Sequence, residues 1–231
     1  MAKREYLVDL FGTVHQRYDL LNHVLSLSLD KGWRKSLVEQ VHSVHQNRIL
    51  DACTGTGDLA IELAKKYVGV LVVGIDVSDK MLKMGVEKIQ KAGLTGRIFL
   101  QQSDLFNLPF KDEVFDAVSI GFGFRNLHNF AGGIKEMIRV LRKDGVLLIL
   151  ELTIPQRPFL KRIHHFYLKN ILPKIGGLIS GSKSSYEYLS SSIIAFPEKK
   201  EVIEFMKAGG LRDVQHVPLS GGIASIFRGK K

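Results

Sequence analysis

Between Arg48 and Ile149 the chain switches repeatedly between two hydrophobic periods, and that alternation limits its fold more than any other feature. Arg48–Cys53 is a short apolar run, and Asp58–Tyr67 sets Leu59, Ile61, Leu63 and Ala64 on the apolar side of a helix. Val70–Ile75 is continuous and β-branched, as a strand buried on both faces requires. Ser78–Ala92 reads as a second helix, with Ser78 as its cap and Gly93 as its stop. Arg97–Gln101, Val114–Ile120 and Val146–Leu152 add three strands, and Ile134–Arg142 a further helix before the last of them. Strands separated by helices of ~10–15 residues predict βαβ units, hence an α/β fold on a doubly wound, mostly parallel sheet. The tail departs from the pattern. Glu198–Lys207 predicts a helix closed by Gly209-Gly210, and Leu211–Val217 and Ile223–Phe227 flank Ser220-Gly221-Gly222 as an antiparallel hairpin, which brings the sheet to seven strands.

Residues 1–45 predict a helical cover and residues 153–196 an inserted helical lid, so that 1–231 form a single domain of ordinary size. The 45% hydrophobic content argues against intrinsic disorder. The longest apolar runs, Val68–Ile75 and Gly145–Leu150, fall far short of the roughly 18–20 residues that span a bilayer. Glu5 and Asp9 interrupt the N-terminus, so no secretory signal is expected. Cys53 is the only cysteine, which excludes an intrachain disulfide and a cysteine metal cluster. Neither His164-His165, His23 nor His128 has a spaced carboxylate or cysteine partner, so no metal site is expected. A cytoplasmic protein is the expectation.

The net charge of +10 implies an anionic partner. Its location narrows the choice. From Pro155 to Lys183 the chain carries Arg157, Lys161, Arg162, Lys169, Lys174 and Lys183 without one Asp or Glu, interleaved with Phe159, Ile163, Phe166 and other apolar residues. Such a segment suits peripheral contact with an anionic membrane better than nucleic acid, for which no aromatic-basic platform is present. A helical cap with solvated lysines is equally compatible with the pattern.

The sharpest motif is Asp51-Ala52-Cys53-Thr54-Gly55-Thr56-Gly57-Asp58. A strand, a glycine-rich turn and a helix together let a ligand approach backbone at a helix N-terminus. Gly55-x-Gly57-x-x-Ala60 matches the dinucleotide fingerprint formally. Asp51 and Asp58, however, flank the loop with carboxylates, which would repel a pyrophosphate and attract ammonium and sulfonium charges. S-adenosyl-L-methionine carries both charges and no phosphate. Asp76 ends the second strand about 20 residues beyond the glycines, where an acid accepts hydrogen bonds from ribose hydroxyls. Asp104 follows the third strand, placed for an adenine amino group, and Gly121 follows the fourth. A methyltransferase is therefore the leading reading. A nucleotide-dependent dehydrogenase, an RNA or small-molecule methyltransferase and a noncatalytic cofactor-binding scaffold are the alternatives.

These stretches resemble motif I and its sequel in class I S-adenosylmethionine-dependent methyltransferases. Tyr18-Asp19-Leu20-Leu21-Asn22-His23-Val24-Leu25-Ser26 with Trp33-Arg34, Phe122-Gly123-Phe124-Arg125-Asn126, and Arg139–Gly145 running to Glu151-Leu152-Thr153 are similar to segments of one family. That family is the menaquinone/ubiquinone biosynthesis C-methyltransferases. Ser185-Tyr186-Glu187-Tyr188-Leu189 follows its pattern too, so the likeness covers essentially the whole chain. Leu21, Asp144 and Gly121 depart from it, standing where methionine, proline or glycine, and serine are usual.

The resemblance implies methylation of a polyprenyl quinol carbon, with demethylmenaquinol or 2-methoxy-6-polyprenyl-1,4-benzoquinol as substrate, and self-association as a homodimer. It also implies cofactor contacts at Thr56, Asp76, Asp104, Leu105 and Gly121, beside Asp51, Gly55 and Gly57 of the loop. Quinol chemistry needs positioning, stabilisation of a phenolate and exclusion of water. Arg125, an always-charged donor just after the fourth strand, suits the phenolate. Asn126 would orient a water or the quinol oxygen, and Tyr18 and Asp19 would act from the N-terminal cover. No general base is evident.

Overall fold

The computed structural model describes residues 26, 28–41, 47–174 and 183–231. Seven strands form one sheet in the order β3-β2-β1-β4-β5-β7-β6. They are β1 (Arg48–Ala52), β2 (Leu71–Asp76), β3 (Ile98–Gln102), β4 (Phe115–Gly121), β5 (Leu141–Leu152), β6 (Arg212–Leu219) and β7 (Ala224–Lys230). Strands β1 to β5 pair in parallel, whereas β7 pairs antiparallel with both β5 and β6. The chain thus runs outward from β1 to β3 on one side and from β4 on the other, leaving a switch point between β1 and β4. Ligands of open α/β sheets bind beyond the strand ends at such a point.

The helices are α1 (Leu29–Glu39), α2 (Asp58–Lys66), α3 (Asp79–Lys91), α4 (Phe130–Val140), α5 (Pro158–Phe166), α6 (Lys183–Ile194) and α7 (Lys199–Ala208). Apolar side chains fill both faces of the sheet. On one, α1 and α2 bring Trp33, Leu37, Leu59 and Leu63 against Ile49, Val72 and Leu148. On the other, α4 and α7 bring Ile134, Met137, Val202 and Met206 against Leu50, Val118 and Phe227. With its two faces covered, β4 is buried from Phe115 to Ile120, which is why its sequence does not alternate.

The predicted elements recur with small shifts at their ends. Ser78 caps α3 by accepting from the Met81 amide, and Glu198 and Glu201 form a reciprocal capping box on α7. The helix expected over Ile134–Arg142 instead begins at Phe130, because Asn129 caps it through the Gly132 amide. Its C-terminus is pre-empted by β5, which starts at Leu141 beside Phe115 and shifts register before Val146. Asp144 lies in that bend at φ 65°, a left-handed conformation, which explains why glycine suits the position.

Two helices occupy the described part of 153–196. α5 continues into a π-helical turn at Tyr167–Ile171, and Leu168, Leu172, Tyr186 and Ile193 form a small apolar cluster between it and α6. The expectations for Tyr18, Asp19 and the rest of residues 1–25 lie outside the described residues.

Candidate active site

The glycine loop takes its shape from three hydrogen bonds donated by its backbone amides, two to carbonyls and one to a carboxylate. The Thr54 amide donates to the Ile75 carbonyl at 2.8 Å, extending the β1–β2 pairing one step past the strand, and the Gly57 amide donates to Thr54. The Gly55 amide then turns to Asp76 Oδ2 at 3.0 Å. Gly57, at φ 80°, begins α2 in a conformation that a side chain would strain. Ala60, in the third fingerprint place, is fully buried where α2 crosses the sheet. Two non-glycine residues also adopt left-handed backbone here: Cys53 after β1 (φ 53°) and Phe122 after β4 (φ 57°). Both line the same cleft, and strained backbone of this kind gathers at functional sites.

That cleft encloses about 980 Å³, counting its open mouth. Its walls come from the carboxyl ends of β1, β2, β3 and β4: Gly55, Asp76, Asp104, Leu105, Gly121 and Asn126 all face it, together with Met81, Phe106 and His128. Asp76 accepts amides on both oxygens, from Gly55 and from Ser78 at 2.9 Å. Burial nevertheless pushes its carboxyl above the usual range, so further donors, such as a ribose diol, would stabilise the ionised form. Asp104 Oδ1 accepts the Phe106 amide at 3.0 Å, and the Phe106 ring stacks on His128 with centroids 4.1 Å apart.

No lysine or arginine lines this cleft among the described residues. A pyrophosphate would find two carboxylates and no counter-charge. A purine nucleoside with a cationic tail finds acceptors, apolar walls and small residues, so the donor set fits S-adenosylmethionine and rejects a dinucleotide.

The charge logic of the loop differs from expectation. Asp58 does not face a ligand as a free carboxylate: it pairs with Lys88 and lies 3.6 Å from Arg34. Lys88 also donates to the Thr56 hydroxyl at 3.0 Å. Asp51 is buried, holding the Thr54 and Ser119 hydroxyls at 2.7 and 2.8 Å. Burial raises its pKa to about 6, against those hydrogen bonds and Arg34. Asp51 and Thr56 therefore sit outside the main cleft, in a smaller recess that opens from it past Cys53, Gly55, Gly121 and Phe122. Gly57 faces neither.

Arg125 is also displaced from its expected place. Its guanidinium is buried against Glu151, Nη1 to Oε1 at 2.6 Å, and its amide donates to Glu151 Oε2 at 2.9 Å. Arg125 does not line the cleft. Its charge is matched inside the protein, so its evident work is to pin the turn that follows β4. The next residue, Asn126, does line the cleft, and its Oδ1 accepts from the Tyr188 hydroxyl of α6 at 3.1 Å. Glu151, Tyr188 and Arg34 entered the sequence reading only within segments that resemble the family, and no role at the site was assigned to them. Glu151 alone carried a signal, an acid ending an otherwise apolar strand.

A second, wider cavity, about 1800 Å³ with its open mouth counted in the same way, lies between α5, α6 and the β6–β7 hairpin. Ile154, Pro155, Ile193 and Phe196 supply apolar wall, and Arg157, Lys161, Lys199 and His216 supply polar wall. His216 Nε2 and the Ser225 hydroxyl lie 3.0 Å apart, and Ser225 meets the Thr153 hydroxyl at 2.9 Å.

Comparison with known proteins agrees with this architecture. A Thermotoga maritima protein described as a SAM-dependent methyltransferase and possible histamine N-methyltransferase superposes with a TM-score of 0.68. It is 18% identical, and the match covers 96% of this chain and 99% of that one. A Haemonchus contortus phosphoethanolamine N-methyltransferase 2, solved with S-adenosyl-L-methionine, gives 0.64 at 16% identity, over 87% of this chain and 52% of that one. These likenesses concern the fold. At the level of sequence, the ubiquinone/menaquinone biosynthesis C-methyltransferase UbiE of Geotalea uraniireducens is 40% identical over 99% of this chain and 97% of its own. The demethylmenaquinone methyltransferase of Porphyromonas gingivalis is 36% identical over 99% and 94%. The family model for ubiE/COQ5 methyltransferases matches residues 1–231. By that match over its whole length the chain belongs to the ubiE/COQ5 methyltransferase family, and its methyl donor is S-adenosylmethionine.

Proposed function

We propose that this enzyme methylates a ring carbon of a polyprenyl quinol, with demethylmenaquinol as its main substrate and 2-methoxy-6-polyprenyl-1,4-benzoquinol as the second. The observation that carries this reading is a nucleoside cleft at the switch point with no lysine or arginine among its described lining residues, together with a wide cavity walled by both apolar and basic groups. The relatives' names support it. Asp76 would hold the ribose hydroxyls, Asp104 the adenine amino group, and Leu105 would flank the purine. Gly55 and Gly121 would let the ligand lie close to backbone, while Asp51 and Thr56 would face its amino-acid end.

When bound, the cofactor supplies an electrophilic methyl group on a sulfonium sulfur. The protein's own part is to make the quinol carbon nucleophilic and keep it aimed. Basic groups on the cavity wall favour the ionised quinol, because an opposite charge nearby lowers an acid's pKa. The Asn126 amide, its oxygen already engaged by Tyr188, has an N–H₂ to offer a quinol oxygen. Arg125 and Glu151 keep that amide in place. Tyr18 remains a candidate on resemblance alone.

The same reading gives 153–196 the role of a lid that also touches membrane. Phe159, Ile163 and Phe166 are 74%, 50% and 61% exposed on one side of α5. No described helix is long and apolar enough to cross a bilayer, whereas an exposed ridge of this kind can rest in its interface. Methyl transfer from labelled S-adenosylmethionine to each quinol in detergent tests the substrate assignment. Label on demethylmenaquinol supports it. Cofactor binding with label on neither quinol sinks it.

A further inference from the structure

The small recess beside the cofactor cleft holds a pairing of charges that the nucleoside part of the ligand does not use. The buried Asp51 carboxylate lines it with Thr54, whose hydroxyl it holds at 2.7 Å, and so do Arg34 of α1, Thr56 and Asp58. Arg34 is itself buried, 8% exposed. Its Nη1 is committed to Asp30 at 2.5 Å. Its Nη2 stands 3.6 Å from Asp58, beyond hydrogen-bond reach, and Asp58 is already paired with Lys88. The guanidinium carbon lies over the Phe122 ring, 5.5 Å from its centroid. Trp33, its neighbour, is fixed to the same ring and to the Ser220 hydroxyl at 2.9 Å. Among the described residues the second arm, Nη2, has no acceptor within hydrogen-bond distance, so an anion entering the recess would meet a donor already in place.

We propose that Arg34 is the residue that recognises the carboxylate of the cofactor's amino-acid end, with Asp51 of the same recess meeting its ammonium. This deepens the methyl-donor reading and rests on it. A planar fork suits a carboxylate and leaves Arg34's bond to Asp30 intact. The arrangement selects an α-amino acid tail: a carboxylate reaches the guanidinium while the ammonium reaches the acid. A ligand with the nucleoside alone leaves the recess unused. The discrimination lies in α1, an element outside the nucleotide-binding sheet, so donor binding would also anchor α1 over the cleft.

Calorimetric titration of the whole protein with three ligands tests this. They are S-adenosylhomocysteine, its decarboxylated analogue S-adenosyl-3-thiopropylamine, and methylthioadenosine, which lacks the amino-acid tail. Wild type is expected to prefer S-adenosylhomocysteine to the decarboxylated analogue by about ten- to a hundredfold, the range of a hydrogen-bonded charge pair. Arg34→Gln should erase most of that preference while leaving methylthioadenosine affinity within about threefold. Arg34→Lys, which keeps the charge without the fork, should fall between them and serves if the glutamine variant does not fold. Equal wild-type affinities for the first two ligands overturn the proposal, as does a preference that survives in both variants. Wild type that binds none of the three overturns the donor reading itself, a result distinct from either.

Discussion

Asp76 carries two loads, and the geometry separates them. Each oxygen accepts a backbone amide, from Gly55 and from Ser78. In Asp76→Asn one of those amides must face an N–H₂ group, whichever way the side chain turns. Stability should fall by about 1–3 kcal/mol, the cost of an unsatisfied buried donor, and S-adenosylhomocysteine affinity by at least about tenfold. Chemical denaturation and calorimetry read the two effects apart. His164 gives a prediction in pH. Its Nδ1 is buried with no hydrogen-bond partner among the described residues, and burial, then the neighbouring His165, lowers its pKa to about 4. The unfolded chain takes up this proton near pH 6.5 and the folded chain only near 4. Stability is therefore fully present above 6.5 and is lost as pH falls toward 4. His164→Leu should flatten that part of the stability–pH curve, by on the order of 1–2 kcal/mol at pH 4.5. A curve unchanged by the substitution would place the acid sensitivity elsewhere. At this scale the sequence was informative about acids that end strands, since position alone brings Asp76 and Asp104 to one cleft. It could not tell that Asp58 and Arg125 are neutralised by Lys88 and Glu151, because those partners lie 30 and 26 residues away. Nor do residue types announce a left-handed Cys53 or Phe122.

Among elements, α3 packs closely against the loop before α2. Gly85 sits inside α3, where alanine ordinarily gains about 1 kcal/mol. A Cβ there would lie 2.7 Å from Leu100 Cδ1 and 3.3 Å from the Thr56 backbone. Gly85→Ala should therefore destabilise, by about 1–3 kcal/mol, and push the cofactor loop outward so that donor affinity falls with it. A rise in melting temperature would show that the loop yields without cost. The Arg125–Glu151 pair joins β5 to the turn after β4. Glu151→Ala leaves a buried guanidinium unmatched, with an expected loss of about 3–5 kcal/mol in denaturant titrations. The hydrophobic periods made these elements readable because the sheet is covered on both faces, so buried strands and half-buried helices carry different patterns. Element ends were less readable. α4 starts at Phe130 through an Asn129 cap, and Gly132-Gly133 in its first turn mimic a loop. β5 starts at Leu141 through a bend that only pairing with Phe115 reveals.

For the molecule as a whole, α5 is turned the opposite way from an ordinary surface helix. Phe159, Ile163 and Phe166 point outward, whereas Arg157, Lys161 and His165, spaced four apart, face the cavity behind the helix. Outward apolar area of this kind has no stabilising role in water, and burial in a bilayer interface returns roughly 25 cal/mol per Å². Arg162, Lys169 and Lys174 flank the ridge on the helical projection of the segment, where anionic headgroups would contribute about 1 kcal/mol each. On the proposed function the two faces would act together: the outer one would hold the enzyme where a polyprenyl tail dissolves, and the inner one would favour the ionised quinol head. Flotation with vesicles containing anionic lipid should recover the protein at low salt and lose it progressively as salt rises. Phe159→Asp with Phe166→Asp should abolish flotation while leaving S-adenosylhomocysteine affinity unchanged, because neither residue lines the cofactor cleft. Turnover of a long-chain quinol in vesicles should then fall at least about tenfold, and that of a short-chain, water-soluble quinol should not. Flotation undiminished in the double variant would assign the outer face of α5 no part in lipid contact, and equal losses on both quinols would point to the cavity rather than the membrane.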